Sequence, residues 1–168
     1  MKSKSVWAVL IVALAAAVYA GNVMATQSSG FASTTLAKAT YREIFSHVHT
    51  QTPQFWNELI KTEGASDLYV QQNTWQPGGS SGWHTHPGPS LVIVTQGSVT
   101  AYEGDDPTCT PHVYTAGTAN NAFIDPGGGH VHIVRNETSA LAQTIAVQLI
   151  PAGATRRQHA PDPGTCPF

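Results

Sequence analysis

An all-β fold, a jelly-roll β-barrel with one short N-terminal helix, is the class this sequence predicts. From Asp67 onward its segments are short, rich in Val, Ile, Thr and Tyr, and separated by Gly, Pro, Asn and Asp. Eight of them recur at near-regular spacing, near 68–75, 82–86, 90–96, 98–103, 112–115, 122–125, 130–136 and 142–150. Such spacing suits antiparallel strands that close into a barrel or stack as a sandwich. Only one stretch has helical character. Thr52-Pro53 can cap and start a helix, Phe55, Trp56, Leu59 and Ile60 then share a face, and Gly64 stops it.

Taken in order, the chain opens with Lys2 and Lys4 before an uncharged apolar run from Val6 to Ala20. The run is shorter than the 18 or more apolar residues of a membrane span, and small residues follow it, so it reads as a secretory signal. Cleavage after Val23-Met24-Ala25 would remove residues 1–25; Val18-Tyr19-Ala20 is the alternative site. A secreted or periplasmic protein is expected, with no stable membrane insertion after processing. Residues 26–66 form an N-terminal extension in which 26–40 read as a flexible lead-in and Tyr41–Val48 is open between strand and helix. Residues 67–152 are the barrel, and 153–168 a Pro-rich C-terminal tail.

Loss of Lys2 and Lys4 leaves six basic against ten acidic residues in a 143-residue chain, a net charge of about −4. Nucleic acid is excluded as a partner, because phosphate binding needs a concentrated basic surface and Arg156-Arg157 is the one adjacent basic pair. That pair reads as part of a solvated tail. The two cysteines of an exported chain, Cys109 and Cys166, are expected to form a disulfide that pins the tail. There is no Ser-His-Asp context, phosphate loop or Cys-x-x-Cys.

The chemistry lies in the histidines. In a strand, residues two apart face the same way, so His84 and His86 of His84-Thr85-His86 converge. A later segment, Gly129-His130-Val131-His132-Ile133-Val134-Arg135-Asn136, gives His130 and His132 one parity. His47 and His49 repeat the pattern outside these segments and read as an exposed edge pair; His112 and His159 carry none.

The arrangement resembles the cupin superfamily. Its first motif runs Gly, His-x-His, Glu, Gly, and here Gly78, His84, His86 and Gly97 stand in place, with Ser90 where the Glu belongs. Its second motif runs Gly, Pro-x-Gly, His-x-x-x-Asn, answered by Gly117, Pro126, Gly128, His132 and Asn136, with one additional residue before the histidine. The resemblance implies a cupin barrel and a divalent metal ion on His84, His86 and His132. His130 is the alternative to His132, or a residue that supports it.

Burying several neutral imidazoles without partners would cost roughly 1–3 kcal/mol for each unpaired group, and a cation satisfies their acceptors together. Three nitrogens leave coordination positions open. With serine at position 90, the site is expected to keep its full positive charge and to favour a small anionic or chelating ligand. This is similar to the three-histidine cupin dioxygenases, and it implies iron; zinc, nickel and manganese also suit such donors.

Two functions stay open: a metal-dependent oxidoreductase, or a non-catalytic module that binds metal or a metabolite, with a homodimer open in either case. Trp75 and Trp83 read as packing or as the mouth of the ligand site. Glu103 and Asp125 are the nearby carboxylates, and Gln148 is a mid-strand polar residue; none of the three has an inward orientation fixed by its sequence context.

Overall fold

The computed structural model describes residues 25–168, and the expected signal segment lies almost wholly outside the described residues. Twelve strands follow one another: β1 Ser29–Tyr41, β2 Phe45–Thr50, β3 Trp56–Lys61, β4 Ser66–Ser80, β5 His84–Thr85, β6 Ser90–Gln96, β7 Ser98–Glu103, β8 His112–Thr115, β9 Ala122–Asp125, β10 His132–Arg135, β11 Ala142–Pro151 and β12 Gln158–His159. Among the described residues there is no helix, and so none long and apolar enough to cross a membrane.

Ten strands share one sheet with antiparallel pairing, running β12-β5-β10-β4-β11-β6-β9, with β1 added on β4 and the β7–β8 pair on β10. Alternation places the interior. Along β11, Ala142, Thr144, Ala146, Gln148 and Ile150 are buried and the residues between them less so; on β6, Ser90, Val92 and Val94 point in while Leu91 and Ile93 point out. Two apolar clusters hold the interior. One joins Trp75, Val94, Val99, Ala101, Val134 and Ala142; the other joins Trp83, Tyr102, Ile133, Ala160 and Cys166. Trp83 is therefore packing, while Trp75 packs and also lines the central cavity.

Three expectations are corrected. The helix predicted from Thr52-Pro53 is absent: the segment forms the turn and second strand of the β2–β3 hairpin, with Thr50 opposite Trp56 and His47 opposite Leu59. Thr-Pro is as good a turn signal as a helix cap, and Trp, Phe and Ile favour strands as soon as a partner strand is present. Phe55, Trp56, Leu59 and Ile60, the expected buried face, are exposed, as are Phe45 and Val48.

The lead-in at 26–40 is likewise not loose. Most of it is β1, paired with β4 from Phe31 opposite Trp75 to Tyr41 opposite Ser66. The ladder, a Phe31–Trp75 ring contact at 5.0 Å and a Lys38–Asp67 ion pair at 2.9 Å hold it.

The tail is tied down as well, and Arg156-Arg157 is half-buried instead of part of a solvated tail: both residues line the central cavity. Strand β12 pairs with β5, the Ala160 N–H donates to the Trp83 carbonyl at 2.9 Å, and a Cys109–Cys166 disulfide closes the strap.

Candidate metal centre

His84 and His132 face each other across the β5–β10 pairing, and His86 follows β5 at the same parity as His84. All three are buried, at 5%, 8% and 6% exposure for His84, His86 and His132. Their ring centroids lie 4.3 to 5.4 Å apart, and each ring brings a nitrogen within 4.8 Å of the others.

Hydrogen bonding sets which nitrogen is free. The Nδ1 of His84 lies 2.8 Å from the Gly82 carbonyl, and the Nδ1 of His86 lies 2.7 Å from the Arg156 carbonyl. A carbonyl only accepts, so both Nδ1 atoms carry the proton, and each Nε2 keeps its lone pair. Burial also holds the His86 and His132 imidazoles down to about 4 and His84 well below its usual range, so the rings are neutral at pH 7. Neutral, converging nitrogens without protein donors to satisfy them are a fit for a divalent cation.

The loops that frame the centre are pressed together. A side chain on Gly127, whose φ is +69°, would collide with the Gly88 carbonyl, so only glycine lets the Pro87–Pro89 and Gly127–Gly129 turns meet beside His86. The Gly129 N–H then donates to the His86 carbonyl at 3.3 Å.

His130 stands outside this trio. Its Nε2 lies 3.2 Å from Glu103, its Nδ1 lies 3.9 Å from Asp125, and its ring is parallel to that of His132 at 6.2 Å. It belongs to a second grouping, Asp125, His130 and His132, that shares His132 with the first. His47, His49, His112 and His159 are exposed and lie outside both groups.

Ser90 faces inward, and its hydroxyl accepts the Gln148 amide at 2.9 Å. Its cross-strand partner on β9 is Asp125, buried at 5% exposure. Burial raises the Asp125 carboxyl, while the Gly127 N–H and the nearby imidazoles pull it back. Glu103, half-exposed against His130, is raised by burial too.

The centre opens into a cavity of about 60 Å³ lined by Gln71, Trp75, Val92, Phe123, Gln148 and Arg156 among others. The Arg156 guanidinium donates to the Gln71 side-chain Oε1 at 2.7 Å, and an Arg157 guanidinium N–H donates to the Ser81 backbone carbonyl. The Gln71 Nε2 and Trp75 Nε1 donors are buried and have no hydrogen-bond partner among the described residues. Sequence reasoning missed Gln71 and Arg156 and left Asp125 and Gln148 without orientation. For Asp125 and Phe123 a shared parity in β9 was available; for Arg156 no local signal exists.

Comparison with known proteins agrees with the barrel through its family match. The Cupin domain family matches residues 73–148. Among solved structures, a cupin superfamily protein from Desulfitobacterium hafniense is similar at 11% identity over 68% of this chain and 79% of that one, with a TM-score of 0.42. Oxalate oxidase is similar at 18% identity and a TM-score of 0.41, over 51% of this chain but only 46% of the oxidase. Peruvianin-I, a cysteine peptidase from Thevetia peruviana latex, is similar at 22% identity over 79% of this chain and 68% of that one, with a TM-score of 0.48. No curated protein sequence matches this chain significantly.

Proposed function

Because this chain belongs to the cupin superfamily, we propose that it holds one divalent metal ion on His84, His86 and His132 and acts as a metal-dependent, dioxygenase-like oxidoreductase on a small anionic, chelating molecule. The observation that carries this reading is the orientation of the rings: carbonyls occupy Nδ1 of His84 and His86, which leaves Nε2 of each free in a trio whose ring nitrogens converge with that of His132. A ferrous ion there would supply Lewis acidity and one-electron chemistry with dioxygen.

The chain's own residues account for the choice of ligand. Arg156 brings a positive charge to the cavity lining, and the unpaired Gln71 and Trp75 donors are borne by residues that line the same cavity. An anion satisfies such donors, and a charge-assisted hydrogen bond is roughly twice as strong as a neutral one. Trp75, Val92, Phe123 and Val134 keep the remaining surface apolar and restrict water. A volume of about 60 Å³ limits the ligand to a few heavy atoms. The protein works outside the cytoplasm, a reading supported by a disulfide that an oxidising compartment preserves.

A second reading, a non-catalytic metal- or metabolite-binding module, is favoured by one observation. Asp125 is the one carboxylate lining the cavity, and its oxygens face the histidines, so no separate general base is at hand. Metal analysis of protein from its native compartment, then oxygen uptake with iron restored in the presence of small carboxylates, separates the two. Iron with uptake supports the oxidoreductase; tightly held zinc without turnover supports the module.

A further inference from the structure

The first cupin motif carries a glutamate where this chain has Ser90, yet a buried carboxylate stands one strand away. Asp125 closes β9 directly opposite Ser90 and shares its inward face with Phe123. Its two oxygens are in different situations. Oδ1 accepts the Gly127 N–H at 3.0 Å and lies 3.6 Å from the His132 Nδ1. Oδ2 is buried, has no hydrogen-bond partner among the described residues, and lies 3.9 Å from the His86 Nε2, the nitrogen that the Arg156 carbonyl leaves free. The Ser90 hydroxyl across the strand pair is close enough to help lower the carboxyl, but it makes no well-formed hydrogen bond to Oδ2, and a buried carboxylate oxygen costs more to desolvate than a neutral group.

We infer that Asp125 Oδ2 is a fourth ligand to the metal held by His84, His86 and His132, the carboxylate missing from position 90 being delivered from the neighbouring strand. The inference rests on the three-histidine reading and changes its electrostatics. A divalent centre that the three imidazoles alone would leave at +2 becomes +1, and the positive charge that selects an anion comes in larger part from Arg156. It also adds a hard oxygen donor, which moves the preference of the site toward manganese and iron relative to an all-nitrogen set. Meanwhile Oδ1, fixed by Gly127, lies 3.6 Å from the His132 Nδ1, so one side chain would bind the ion and help orient a ligand.

The test is manganese affinity by calorimetry together with the visible spectrum of the cobalt(II)-loaded full chain. Asp125→Asn keeps the size of the side chain and removes its charge. It is expected to weaken manganese by more than 100-fold, beyond the roughly 10–100-fold of a residue that only supports a ligand, and to change the cobalt bands. Ser90→Glu added to Asp125→Asn should recover at least tenfold of the lost affinity, because the new carboxylate enters the same coordination sphere from β6. Added formate should do the same for Asp125→Ser, should the double variant fold poorly. Manganese affinity within tenfold of the parent in Asp125→Asn, with His132→Ala still losing metal, would overturn the inference and leave the three-histidine site standing. So would a large loss that neither Ser90→Glu nor formate reverses, since Asp125 would then only position His132. Parent protein that binds neither manganese nor cobalt would overturn both readings.

Discussion

The C-terminal strap links stability to the metal centre, so breaking its disulfide should be felt in two measurements. Cys109 and Cys166 are 57 residues apart. By chain entropy, a loop of that length restricts the unfolded state by about 4 kcal/mol at 25 °C, at the upper end of the usual 2–4 kcal/mol. With a urea slope of roughly 2 kcal/mol/M for a domain of this size, Cys109→Ser with Cys166→Ser should lower the urea midpoint by about 2 M. The second effect comes from geometry. The carbonyl that fixes the His86 tautomer belongs to Arg156, on the strap, and without the disulfide the strap keeps only non-covalent ties: the β12–β5 pairing, the Ala160–Trp83 backbone bond and the hydrogen bonds of Arg156 and Arg157. Loss of such an outer partner lowers metal affinity by roughly 10–100-fold. Urea unfolding of the metal-free double variant and calorimetric metal titration of the folded variant read the two effects separately. An unchanged metal affinity would refute the coupling of strap to centre, and a midpoint within about 0.5 M of the parent would refute the entropic account.

Three further outcomes follow from the geometry. Alanine at His84, His86 or His132 should each reduce bound metal to a small fraction of one equivalent, whereas His130→Ala should cost at most roughly 10–100-fold in affinity; metal content after gel filtration shows the difference. Arg156→Gln should weaken binding of a carboxylate such as acetate to the metal-loaded protein by about tenfold or more while sparing metal content, since a charged hydrogen bond is lost; equal acetate affinity in a calorimetric titration would sink the anion assignment. Asp67 accepts the Gly153 N–H and the Thr40 hydroxyl and pairs with Lys38, which hold its carboxyl down to about 2 from the usual 3.8. A depressed folded value means stability that is complete above about pH 4 and is lost as pH falls toward 2, so melting temperatures of the parent should drop over that window and those of Asp67→Asn should drop less.

How much of this could be read from the chain depends on how local each signal is. The expected strands at 90–96, 98–103, 112–115 and 122–125 coincide with β6 to β9, because alternation and Gly, Pro and Asn punctuation act within a few residues. Strand β1 has no such mark. Its Thr, Ala and Ser residues are mostly exposed, and what orders them is the ladder to β4, a partner some thirty or more residues away for most of its length. The hairpin at 45–61 misled for a related reason: Phe55, Trp56, Leu59 and Ile60 do lie at helical spacing, but pairing with β2 supplies backbone hydrogen bonds that the periodicity of β3 alone cannot reveal.

The centre divides along the same line, and the division bears on its charge. His84, His86 and His132 were legible because two-residue parity and motif spacing are local, and the β5–β10 pairing then brings His84 opposite His132. Ser90, read alone, implied a site with no carboxylate and the full charge of its ion. That step treats a motif position as if it were a position in space. Asp125 sits 35 residues later in the chain yet directly across β6–β9 from Ser90, and Arg156 reaches the same cavity from a tail with no motif at all. A negative group against the histidines and a positive group on the same cavity lining create a polarity that neither residue's surroundings in sequence disclose. An anion entering this cavity would therefore be drawn to the side of Arg156 and away from Asp125, so its orientation, as much as its affinity, is set by residues that only the folded sheet brings together.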